Sequence, residues 1–144
     1  MMGCPMDSER LAPLIAVTPA VVAGPLGFRA ARGTGGRAAL EVLDGDEVIG
    51  AYVDTAFTAS VLGALRGRGW AVVWGRVARD GEPPAVVFTG SGRRRRATGT
   101  PAAVVRVGER FWVASASGEH RVATVSDGAR AQEWRLGPYG SSAA

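Results

Sequence analysis

Residues 70–90 read WAVVWGRVAR, then DGEPP, then AVVFTG, and this stretch decides the fold class. Two runs rich in Val, Trp and Phe, side chains that suit a pleated and half-buried surface, flank a polar segment. Asp80, Gly81, Glu82, Pro83 and Pro84 in that segment stop either run from continuing and supply turn conformations, so the whole reads as strand, turn, strand. In the first run Trp70, Val72, Trp74 and Arg76 alternate with Ala71, Val73, Gly75 and Val77, the period of a strand.

The same grammar extends in both directions. Turn signals stand at Gly33–Gly36, Leu43–Asp46, Gly67–Gly69, Val107–Arg110, Ser117–Glu119 and Asp127–Gly128. Between them lie apolar runs of strand length, predicted at 13–23, 37–43, 47–61, 70–79, 84–90, 103–107, 111–116, 120–126 and 131–136. With 21 glycines and 8 prolines dispersed along the chain, an all-β protein of consecutive hairpins follows. The expected architecture is a single antiparallel up-and-down β-barrel of about eight strands, since closure removes exposed edges. Residues 55–65 admit a second reading: Phe57, Val61, Leu62 and Leu65 fit one face of a short helix stopped at Gly67, whereas the 47–61 alternation favours a strand.

At 144 residues the chain is the size of one domain, with a flexible N-terminus expected over 1–10, the barrel over 11–137 and a flexible tail over 138–144. The net charge of +4 comes from 17 basic residues, all arginine, against 13 acidic ones. Four of these are consecutive, Arg93, Arg94, Arg95 and Arg96, and without them the charges balance at 13 each. A general polyanion-binding surface is therefore not indicated, and part of the arginine content reflects a coding bias that also leaves the chain without lysine or asparagine. At 47% hydrophobic and 21% charged the chain is too apolar for disorder, yet it has no uninterrupted apolar stretch suited to a transmembrane helix. Asp7 and Glu9 before the Leu11–Ala23 segment, and Pro13 and Pro19 within it, argue against a signal peptide and for a cytoplasmic protein. One cysteine, Cys4, and one histidine, His120, supply neither an internal disulfide nor a familiar zinc or Ser-His-Asp constellation, so no metal or cofactor is expected. His120 reads as an exposed turn residue, and the Gly33–Gly36 loop lacks the Lys-Ser/Thr and helix of a phosphate loop.

The order of features resembles a known family. Leu43-Asp44-Gly45-Asp46-Glu47-Val48-Ile49-Gly50 looks like the acidic-Gly, hydrophobic-Gly hairpin of allene-oxide-cyclase-like barrels. It is followed by a second Asp-Gly hairpin at Asp80-Gly81 and a tryptophan strand at Arg110-Phe111-Trp112-Val113. Ser117–Arg121 and Ala131–Leu136 are similar to the closing strands of small actinobacterial spirotetronate cyclases. The resemblance runs over residues 10 to 137. It implies a β-barrel that catalyses intramolecular [4+2] cyclisation of a linear polyketide without a cofactor. Those barrels often place tyrosines in the pocket, whereas this chain has only Tyr52 and Tyr139.

A concerted cycloaddition suits a sequence without an acid-base or nucleophile set. It needs a diene and dienophile held in contact, and orientation alone can lower a barrier by roughly 7–11 kcal/mol. Under this reading Trp74, Arg76 and Trp134 are the expected catalytic residues, Arg76 through a planar fork toward an acidic oxygen and Trp134 through its indole N–H. Tyr52, Phe88, Trp70, Trp112 and Gln132 are the expected substrate-binding residues, with each tryptophan also able simply to fill the core. The Arg93–Arg96 run, flanked by Gly90, Gly92 and Gly99, reads as a lid over the barrel mouth or as an ordinary solvated loop. Two other classes compete: a non-catalytic small-molecule-binding barrel, and a nucleic-acid-binding module using the arginine run, against which the neutral remainder argues. A homodimer is the expected assembly.

Overall fold

The computed structural model describes residues 15–16, 20–55, 59–78, 81–90, 99–128 and 130–140. Along the chain lie β1 (Ile15–Ala16), β2 (Val21–Ala23), β3 (Leu26–Arg32), β4 (Ala38–Asp44), β5 (Glu47–Val53), β6 (Val61–Gly67) and β7 (Trp70–Arg76). They are followed by β8 (Ala85–Thr89), β9 (Thr100–Ala102), β10 (Val104–Val107), β11 (Phe111–Ser117), β12 (Val122–Asp127), β13 (Arg130–Arg135) and β14 (Gly137–Pro138). The only helical element among the described residues is a 3-10 turn at Thr34–Gly36, so the protein is all-β.

The strands pair into three sheets. The first has the order β1-β3-β4-β5, with β2 also on β3; the second is β10-β11-β7-β6-β14; the third is β13-β12-β8-β9. Every ladder is antiparallel except the short β14–β6 contact. Among the described residues these ladders do not run round into one closed ring. Nor are all of them consecutive hairpins: β7 pairs with β11 and β8 with β12, pairings that join distant parts of the chain.

Two apolar layers hold the sheets together. One packs Leu26, Phe28, Leu40 and Val42 of the first sheet on Val72, Trp74, Phe111 and Val113 of the second. The other packs Ala71, Val73, Trp112 and Ala114 of the second sheet on Val86, Phe88, Ala123 and Val125 of the third. The second sheet is thus the middle of three, covered on both faces. That explains why 70–77 reads as an almost continuous apolar run: both sets of its alternating side chains are buried, where a sheet with one wet face would show polar residues at every second position. Each fully buried Val or Phe in these layers stabilises the fold by about 1.5–3 kcal/mol.

Several expectations change here. The strand predicted over 47–61 ends at Val53, and a separate strand, β6, begins at Val61 and runs through the region open to a helical reading; 56–58 lie outside the described residues. Sequence composition hides β6 because Gly63, Ala64 and Gly67 are poor strand formers. They stand there because the neighbouring strand carries tryptophans. A Cβ on Gly63 would overlap the Trp74 ring, and one on Gly67 would overlap the Trp70 ring. Strand β3 is missed for a related reason: its Gly27, Ala30 and Ala31 are weak strand signals, yet Leu26, Phe28 and Ala30 are buried in the first layer. The 13–23 run breaks into β1 and β2, and β9, from Thr100 to Ala102, precedes the predicted 103–107 strand. The tail expected from 138 starts instead as β14, and Tyr139 packs on Trp70 at 6.0 Å between ring centroids. Cys4, the rest of the 1–10 segment, residues 141–144 and the Arg93–Arg96 run lie outside the described residues.

Candidate functional site

Where β5, the edge of the first sheet, passes β6 of the second, the two strands do not pair, and a groove of about 270 Å³ remains between them. Ile49 and Tyr52 of β5 form one wall, Ala64 and Leu65 of β6 the other, and Trp74 and Tyr139 also line it. Trp74 comes so close to β6 only because Gly63 presents no side chain. Its ring meets Phe28 at 5.1 Å and the edge of Tyr52 at 6.5 Å, so an aromatic row runs from the core to the groove. The Trp74 indole N–H is buried and has no hydrogen-bond partner among the described residues. Such a group normally finds an acceptor.

Tyr139 ties the chain end to the β4–β5 turn, its phenol donating a 2.5 Å hydrogen bond to the Asp44 carboxylate. That bond, partial burial and the negative charges of Asp44 and Glu47 raise the phenol above its ordinary value of 10.0. Only the protonated phenol donates, so the contribution to stability is complete below about pH 10 and is lost as pH rises through the raised value. Absorbance titration in a Tyr52→Phe background should therefore give a midpoint above 10, and Asp44→Asn should bring it back toward 10. A midpoint unchanged by Asp44→Asn would refute this contact.

A second depression, a cleft of about 120 Å³, opens where the second and third sheets meet; Arg76, Trp112, Gln132, Arg130, Asp127 and Glu82 are among its lining residues. Arg76 is held by Asp54, which accepts from Arg76 Nη1 at 3.2 Å and from Arg110 Nε at 2.9 Å. The Trp112 indole donates to the Arg76 carbonyl at 3.1 Å, which marks Trp112 as a core residue whose N–H is already committed. Arg76 Nε is buried without a partner among the described residues.

The expected site residues therefore fall in two places. Tyr52 and Trp74 meet in the groove; Arg76, Trp112 and Gln132 meet in the cleft. Phe88, fully buried between the second and third sheets, and Trp70, packed on Tyr139, line neither. Trp134 is 36% exposed on β13, where it stands on the same face as Gln132; the six residues of that edge strand are all exposed. Arg76, expected to offer its planar fork to an acidic oxygen of a substrate, is half-buried and ion-paired with Asp54. His120 corrects its expectation outright. It is buried, its ring lies 5.7 Å from Phe88, and Nε2 sits 2.9 Å from the Ser117 carbonyl, because the Ser117–Glu119 turn folds the ring back over the third sheet.

Ile49, Leu65 and Tyr139 in the groove and Asp54 beneath Arg76 were not singled out from sequence. Apolar residues of unpaired neighbouring strands carry no local signature, and Tyr139 lay in what read as a tail. Among the described residues no helix is long and apolar enough to cross a membrane, and no His, Cys, Asp and Glu side chains form a metal-ligating group. Comparison of the chain with protein-family models, with curated proteins and with solved structures gives no match.

Proposed function

We propose that the groove between β5 and β6 binds an extended, apolar small molecule, and that the ligand is a linear polyketide which the protein cyclises by an intramolecular [4+2] reaction. The observation that carries the binding half of this reading is the groove itself, apolar on both walls, with the Trp74 and Tyr52 rings among its lining. Its volume lies just below the roughly 300–1,000 Å³ of enclosing ligand pockets, so it suits a segment of a longer chain laid along it. The cyclase half is supported by the resemblance of the hairpin order and by the chemistry the lining permits. In a [4+2] cyclisation two carbon–carbon σ bonds form between diene and dienophile as their three π bonds are replaced by one, and no proton changes place. The walls need only press the two partners into reacting distance. Tyr52 is among the groove's lining residues, and in this reading its hydroxyl polarises a conjugated carbonyl of the ligand. A cytoplasmic location goes with this reading, in keeping with a chain of one cysteine.

The test is tryptophan-fluorescence titration with linear polyenes bearing a conjugated carbonyl, followed by chromatography for a cyclised isomer of unchanged mass. Ile49, 38% exposed, can be altered without disturbing the core. Ile49→Asp is expected to weaken binding by about tenfold or more while the melting temperature stays put, since burying a lone carboxylate in the occupied groove is costly. Binding indifferent to Ile49→Asp would remove the groove as the site. Binding without a cyclised product would leave the carrier reading.

A further inference from the structure

We infer that β13 is the interface through which two copies of this chain associate. Among the described residues β13 pairs only with β12, so its other edge presents backbone donors and acceptors along six residues, Arg130 to Arg135, all exposed. Gln132 and Trp134 stand opposite Val125 and Ala123 of β12, and these two are buried, so Arg130, Gln132 and Trp134 lie on the inner face of the third sheet. An exposed tryptophan on an unpaired edge is a feature that proteins without a partner there generally avoid.

The occupant follows from how the strand reads against itself. A two-fold axis perpendicular to the sheet pairs residues of one face with residues of the same face. Centred on Gln132, it sets Gln132 against the partner's Gln132, whose amides supply donor and acceptor to each other. It sets Arg130 against the partner's Trp134, guanidinium over indole, twice by symmetry. On the outer face Ala131 meets the partner's Glu133, and no like charges oppose each other. Centring the axis on Glu133 would oppose two carboxylates. Centring it on Trp134 would run the pairing past Arg135, where the chain leaves this sheet to join β6 through β14.

This arrangement also bears on the cleft. Arg130 and Gln132 line it with Arg76, so the partner's Trp134, opposite Arg130, comes to its rim. Trp134 and Arg76, which one chain does not bring to a common cavity, are neighbours of one cleft in the pair. The inference does not depend on the groove or its ligand.

Sedimentation equilibrium on the full chain, from about 1 to 100 µM, reads the association, because a strand pairing of this length belongs with the weaker interfaces. The mass is expected to rise from 14.9 kDa toward twice that value. Trp134→Arg places like charges opposite Arg130 at two symmetric positions, and should raise the dissociation constant by about tenfold or more. Combining it with Arg130→Glu restores opposite charges and should bring the dimer back, which a merely misfolded variant would not do. A chain that stays monomeric throughout, a dimer indifferent to Trp134→Arg, or no recovery in the double variant would each overturn the assignment.

Discussion

Substituting alanine for Gly75 is expected to destabilise the fold by about 3 kcal/mol or more, the upper range for overpacking. A methyl group there would overlap the Ser60 carbonyl oxygen and lie 2.8 Å from Trp112 Cζ2. The carbonyl cannot give way cheaply, because it accepts the Arg76 N–H at 3.0 Å and so fixes the start of β6 on β7. Trp112 cannot swing aside either, being buried with its N–H on the Arg76 carbonyl. For a domain of this length the loss corresponds to a fall in melting temperature of about 10 °C. Gly35→Ala is the control. Its φ of 76° strains an alanine by about 1–2 kcal/mol, yet no atom stands within 4 Å of the added carbon. A Gly75→Ala variant that melts within about 2 °C of the parent would show that the β6–β7 approach is not as tight as described.

The second large effect separates two tryptophans that the sequence treats alike. Trp74→Ala is expected to cost about 3–5 kcal/mol, since it empties a ring-sized space against Phe28 in the first apolar layer. Trp134→Ala should change the stability of the monomer by no more than about 0.5 kcal/mol, as expected of an exposed position. Urea denaturation at low protein concentration compares them directly, and equal midpoints for the two would contradict the layer assignment. The difference matters for any test of function. Loss of binding in Trp74→Ala would confound the groove with the core, whereas Trp74→Phe keeps most of the packing and removes the unpartnered N–H. If a ligand carbonyl accepts from that N–H, Trp74→Phe weakens binding while leaving the denaturation midpoint close to the parent.

How far the fold was legible follows from what each strand shows in its own side chains. The Trp70–Arg76 alternation, the Asp127-Gly128 turn and the Leu43–Asp46 hairpin are local chemistry, and each stands where the sequence puts it. Strands β3 and β6 are strands by virtue of their neighbours. Gly63 is small because the Trp74 ring lies against it, and Ala30 is small where Gly108 comes up against its methyl; a rule that weighs residues one at a time scores such positions as weak. His120 illustrates the same limit: after a Ser-Gly-Glu turn it reads as exposed, whereas the folded chain lays its ring back toward Ser117 and over Phe88 and buries it. Among the candidate site residues, the face shared by Gln132 and Trp134 was readable from period two. The parting of Trp74 from Arg76, two residues apart on one face, was not. Trp74 borders the β5–β6 groove, whereas Arg76 lines the cleft beside the third sheet while its guanidinium pairs with Asp54.

The sequence by itself determined the all-β class, most of the turns, the neutrality of the chain outside Arg93–Arg96 and the absence of a cysteine or histidine set for metal or nucleophilic chemistry. These depend on residue type, local conformational preference and period, which act within a few residues. The tertiary structure alone decided that the strands make three sheets in layers, that the middle one is buried on both faces, and that a groove opens where β5 and β6 fail to pair. Those outcomes rest on pairings such as β7 with β11 and β8 with β12, whose partners are chosen by the mutual fit of side chains far apart in the chain. Burial and ring packing reward such fits only once the chain has closed the long loops between them.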